Sequence, residues 1–130
     1  MSKLALGIAT VMLVAAIAAP ARADVKVVDD GAKVSVDCAK EKVVYISGEK
    51  VNVLLNGTCD AVNISSDGST VKGSVLQLNI SGDGNTFVLD AVDQIMVSGD
   101  RNTITYKKAV KAKKTGVMST GTDNKISQTK

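Results

Sequence analysis

Three aspartates, Asp67, Asp83 and Asp100, recur 16 and 17 residues apart, each directly after a Gly or Ser, with Asp90 and Asp93 nearby in the chain. Paired carboxylates hydrolyse glycosidic bonds, one as acid and the other as base or nucleophile. Aspartates repeated in glycine-rich turns also bind Ca2+ in some repeat proteins. The ion-binding pattern is incomplete here: Gly-Asp-Gly-Asn occurs once, at 82–85, and the next unit carries Arg101 where the second glycine would stand. An Asp that opens a turn by bonding its own backbone is the simpler role. No metal site is expected.

The chain contains no histidine, which removes every Ser–His and Cys–His nucleophile arrangement. Ser–Lys pairs survive that test, but the serines recur in register, as turn residues would. No catalytic residue and no cofactor is assigned. The two cysteines, Cys38 and Cys59, lack C-x-x-C spacing, so an even pair in an exported chain reads as a structural disulfide. Five lysines cluster at Lys107, Lys108, Lys111, Lys113 and Lys114. Such a patch suits an anionic glycan or lipid surface or an acidic partner. Alternatively it is a solvated loop whose charges keep the end of a sheet from pairing with another chain.

Export is read from the amino terminus. Lys3 precedes an apolar run from Leu4 to Ala19, Pro20 ends it, and Ala21-Arg22-Ala23 follows. That is the order of a cleavable secretory signal, and a run of about 16 residues is short for a membrane span, which needs roughly 20. Residues 1–23 therefore read as a signal peptide of bacterial type and 24–130 as the mature domain. The periplasm or the external medium is its destination, and the mature form has no transmembrane span. Without Lys3 and Arg22 the formal charge falls from +3 to +1, so the basic whole-chain balance does not argue for nucleic acid. Aromatic stacking groups are also scarce: Phe87, Tyr45 and Tyr106 are all there are. Of these only Tyr45 has outward parity, too little for a sugar-binding platform or for single-stranded nucleic acid.

The scaffold is a repeat. Residues 46–53, 64–71, 80–87, 97–104 and 119–126 align, typified by Ser-Gly-Asp-Gly-Asn-Thr-Phe at 81–87 and Ser-Gly-Asp-Arg-Asn-Thr-Ile at 98–104. A degenerate unit precedes them at 29–36. With Gly31, Gly48, Ser66, Gly82, Gly99 and Gly121 as equivalent positions, the intervals are 17, 18, 16, 17 and 22. The lysine cluster occupies the long one. β-Branched residues and Leu alternate into and out of each polar turn, which means strands with one buried face.

Stacked hairpins and a parallel solenoid both fit strand–turn–strand units, and identity at like positions favours the solenoid. Ser47, Ser65, Ser81, Ser98 and Thr120 fall on the outward parity; Asn85, Asn102 and Asn124 share parity with the inward Phe87, Ile104 and Ile126. A buried Asn is costly unless bonded, and a solenoid corner bonds it to its own turn and to the Asn stacked above. The expectation is an all-β parallel solenoid of about six coils, roughly 29 Å long at about 4.8 Å per coil.

These units, with Cys38 and Gly57-Thr-Cys59, resemble a family of small exported bacterial domains of unknown function, recognised by recurring Ser-Gly-x-x-Asn-Thr-Val units and a cysteine pair. The resemblance spans about Val34 to Ile126. It implies a repetitive β fold and carries no activity with it. Ser66 and Ser69 depart from the pattern, which interrupts the Asn column at that coil.

Three functions follow as expectations. The first is a non-enzymatic binding or structural module of the cell envelope, with an envelope protein or an anionic glycan or lipid surface as partner. The others are a small carbohydrate-active enzyme using the turn aspartates, and a self-assembling surface protein. Intact-mass measurement of the exported protein checks the maturation reading: the expected amino terminus is Asp24, and a mass retaining residues 1–23 would show an uncleaved anchor.

Overall fold

The computed structural model describes residues 23–130. The signal segment read over 1–23 lies outside them except for Ala23, which starts the first strand. Nine strands follow in order: β1 (Ala23–Val27), β2 (Lys33–Asp37), β3 (Glu41–Ile46), β4 (Asn52–Ile64), β5 (Thr70–Ile80), β6 (Thr86–Val97), β7 (Thr103–Lys108), β8 (Gly116–Ser119) and β9 (Lys125–Gln128). Every pairing is parallel and joins one coil to the next. The result is a six-coil parallel β-solenoid, all-β among the described residues.

Register shows why like residues recur. Val34, Val53, Val71, Phe87, Ile104 and Ile126 stand in one column. Val27, Ile46, Ile64, Ile80 and Val97 stand in another. Both columns line the interior, and Val71, Phe87 and Ile104 are wholly buried. In β4, β5 and β6 the spacing of buried residues switches from even to odd, between Cys59 and Val62, Val75 and Leu78, and Val92 and Ile95. Alternation has period two along a straight strand, so each long strand bends there without leaving the sheet. Side chains fill the interior from opposing walls, nearly all of them Val, Ile and Leu, with Phe87 fully buried and Tyr106 packed partly buried against them.

Cys38 and Cys59 are disulfide-bonded, both buried, with Cα atoms 4.7 Å apart. They join the first coil to the second. Closing a loop with a sequence separation of 21 stabilises by roughly 3 kcal/mol in the chain-entropy account. The bond adds a covalent tie between the first two described coils to the strand pairing that already joins them.

One alignment is corrected. Gly31 does not stand in the column of Gly48. Gly31 donates its amide to the Glu49 carbonyl, as Lys50 does to Asp67, Gly68 to Asp83, Gly84 to Asp100 and Arg101 to Thr122. These residues and Asp123 form the left-handed column, with φ between 55° and 72° in all six coils. The residue beneath Gly48 is Asp29, whose carbonyl oxygen would lie 2.6 Å from a Cβ added there. The first interval is therefore 19 residues. Gly31 and Gly48 thus meet two different requirements, a left-handed backbone and a close approach.

The requirements separate by substitution. Gly84 has φ +67° and open space around a new Cβ, and Lys50 and Arg101 already hold the same conformation. Gly84→Ala should cost about 1 kcal/mol, the left-handed penalty of an L-residue. At Gly99 a Cβ would collide with the Gly82 carbonyl oxygen, so Gly99→Ala should cost about 3 kcal/mol as overpacking. Urea melts of the two variants measure the difference; equal losses would show that the close approach is not what selects glycine at 99.

Candidate functional site

Each corner is built from a carbonyl, a glycine and an amide. The Gly82 carbonyl points at Gly99 in the next coil and accepts from Asn102 Nδ2 at 2.9 Å. Ser66 stands in the same relation to Gly82 and Asn85, with Asn85 Nδ2 at 2.8 Å, and Gly99 to Gly121 and Asn124, at 2.7 Å. The amide oxygens complete the column. Asn102 Oδ1 accepts from the backbone N–H and Nδ2 of Asn85, and Asn124 Oδ1 does the same for Asn102. Asn85 and Asn102 are fully buried and Asn124, in the last coil, is half-buried.

The departure at Ser66 and Ser69 is a single coupled change. Ser69 takes the Asn position: its Oγ accepts from the Val51 amide at 3.1 Å and reaches the Gly48 carbonyl at 3.5 Å. The Ser66 hydroxyl lies 3.5 Å from it. A side chain at 66 and a shorter one at 69 together keep the corner filled and bonded.

The aspartates form a second column, outside the corner. Asp67, Asp83 and Asp100 each accept, through Oδ1, the backbone N–H one coil further on, from Asp83, Asp100 and Thr122 at 2.8, 2.8 and 2.9 Å. Asp30 does the same for Glu49. These carboxylates therefore bond the adjacent coil rather than their own turn, which corrects the turn-opening expectation. Asp90 and Asp93 are engaged elsewhere, Asp90 with Lys107 at 3.8 Å and Asp93 with the lysine loop. Among the described residues, no three acidic or cysteine side chains are grouped so as to hold a metal ion.

Asp93 anchors the segment between β7 and β8. Its carboxylate accepts amides from Val110 at 2.6 Å, Lys111 at 3.0 Å and Ala112 at 3.2 Å. Partial desolvation pushes the Asp93 carboxyl up, but those amides and the Lys111 charge outweigh it, and the group sits below its usual value. The buried Thr115 hydroxyl closes the loop on the Val92 carbonyl at 2.6 Å. Lys111, Lys113 and Lys114 are exposed on this anchored loop, and Lys107 and Lys108, also exposed, end the strand before it.

The outward serines face a groove of about 790 Å3 that follows the stack of coils from Lys26 to Thr120. One side is the column Ser47, Ser65, Ser81, Ser98 and Thr120, all exposed. The other carries Tyr45, Asn63, Asn79, Met96 and Met118. The hydroxyls of Ser81, Ser98 and Thr120 each donate to a carbonyl of the preceding coil at 3.3 Å, leaving their oxygen lone pairs to the groove. Asn79 Nδ2 donates to Asn63 Oδ1 at 2.8 Å. Tyr45 and Met96 are each 42 % exposed and Met118 65 %. Sequence reasoning placed the serines outward but missed the groove. The repeated Asn-Ile-Ser at 63–65 and 79–81 was the available signal, because it puts an amide and a hydroxyl on the same outer face twice.

A family model described as protein of unknown function (DUF3060) matches residues 66–116. The match covers the corners at Ser66, Gly82 and Gly99 and excludes both cysteines. No curated protein and no solved structure matches the chain.

Two neighbouring substitutions test the assignment of the Asn column to the fold. Asn102→Ala would strand the Gly82 carbonyl and the Asn85 amide in a buried corner, a loss of roughly 1–3 kcal/mol. Thr103 is exposed, and Thr103→Ala should stay within about 0.5 kcal/mol. Equal, small effects in urea melts would show that Asn102 contributes nothing to folding.

Proposed function

We propose that this chain is an exported, non-enzymatic binding module of the cell envelope that holds an extended partner along the serine groove. The observation that carries the reading is the groove itself. It presents repeated hydroxyl oxygens, an amide pair and the exposed faces of Tyr45, Met96 and Met118 over successive coils. Binding clefts combine apolar contact area with a few placed polar groups in this way. A partner that repeats along its own length, such as a glycan or an extended peptide, matches a surface that repeats coil by coil. Export is supported by the charged, apolar and small-residue order of residues 1–23 and by the disulfide. The aspartates fit a structural role better than a catalytic one, since Asp67, Asp83 and Asp100 each commit an oxygen to the neighbouring coil.

A photoreactive amino acid at Asn79, inside the groove, and another at Val88, exposed on a different face, test this in the native envelope. The expected result is one reproducible crosslinked partner from position 79 and none from position 88. Crosslinks from 79 only to another copy of the chain would favour self-assembly instead. Equal patterns from both positions would remove the groove from consideration.

A further inference from the structure

The near-zero charge of residues 24–130 conceals a sharp division. Residues 24–100 carry six basic and twelve acidic side chains, whereas residues 101–130 carry eight basic and one acidic. In a solenoid, order along the chain becomes position along the axis, so the positive charge collects on the last two coils. Lys107 and Lys108 end β7 and Lys111, Lys113 and Lys114 sit on the following segment, anchored by Asp93 and Thr115; of the five only Lys107 makes an ion pair among the described residues.

The same end is uncovered. β8 pairs with β6 and β9 with β7, and among the described residues no further strand stacks on either. Val117 stands in the column of the fully buried Ile95 yet is 42 % exposed, and Met118 beside it is 65 % exposed. The opposite end differs: Val27 and Val36, in the first coil, are 4 % and 2 % exposed. Val28 in that coil is nonetheless 62 % exposed, so the two ends differ chiefly in charge: residues 24–47 hold four basic and five acidic groups and offer the lysines of a second copy little net opposite charge.

We propose that the carboxy-terminal end of the solenoid docks on an anionic lipid surface. Lysines near such a surface are attracted to its headgroups, and apolar side chains among them enter the headgroup boundary. Val117 and Met118 follow Lys113 and Lys114 within five residues, which brings charged and apolar contacts close together. A soluble polyanion would use the lysines and have no use for the apolar pair. Met118 also borders the groove, but the lysines and Val117 lie outside it, and the proposal does not rest on the groove reading.

Cosedimentation with vesicles tests the proposal, using the exported protein with its amino terminus verified by mass, so that residues 4–19 make no contribution. The probes are vesicles of phosphatidylcholine with 30 mol% phosphatidylglycerol (roughly the charge density needed to attract lysines) and vesicles of phosphatidylcholine alone. The expected result is salt-sensitive binding to the first and not the second. At about fivefold per lysine, the exposed triple variant Lys111→Gln, Lys113→Gln, Lys114→Gln should bind on the order of 100-fold more weakly with an unchanged melting curve. Met118→Ser should weaken vesicle binding severalfold and leave binding to soluble polyglutamate unaltered. Equal binding to neutral vesicles, or no loss in the triple variant, would overturn the proposal. So would tight binding of polyglutamate by a chain that ignores both vesicles.

Discussion

The contact on which this molecule depends is a backbone carbonyl pressed against a glycine of the next coil and bonded by the asparagine three residues on. Three parts serve one geometry. The glycine has no Cβ, so the coils close to sheet spacing at the corner. The asparagine then satisfies the carbonyl that the close approach has buried, and its own oxygen takes the amide of the Asn in the preceding coil. A buried carbonyl without that donor would cost about as much as a lost hydrogen bond. The Ser-Gly-x-x-Asn unit is thus the chemical description of a corner.

Two columns stitch the corner in opposite senses. Each aspartate outside it reaches forward, accepting an amide from the following coil. Each asparagine inside it reaches back, bonding the carbonyl of the preceding one. Coil-to-coil distance is held from both directions, and the strands between corners inherit their register from it. A core of Val, Ile and Leu with a single phenylalanine is sufficient because the corners, not interlocking rings, determine the stacking.

Much of this architecture was legible in the sequence because a solenoid writes its register into the chain. Ile80 and Val97 recur at the coil interval, and Asn85 and Asn102 recur with inward parity, so coil number and the buried amides followed. The first coil was misaligned for a physical reason: Gly31 satisfies a left-handed backbone, Gly48 a close approach, and one letter stands for both. The partner of each aspartate was equally hidden, since an Asx turn and a bond to the next coil place the same residue at the same spot. The groove escaped because outward residues such as Tyr45, Asn79 and Met96 share no chemical type, and their proximity emerges only when the coils are stacked.

The disulfide has a directional consequence. It ties the first coil to the second, whereas the last coil is held by four-residue strands and half-covered side chains. Repeat stacks lose stability from their weaker end inward, because each unit leans on its neighbour. Tension or proteolysis would therefore unzip this rod from its carboxy-terminal tip, coil after coil, until it met the crosslink. The chain has a fixed root and a labile crown.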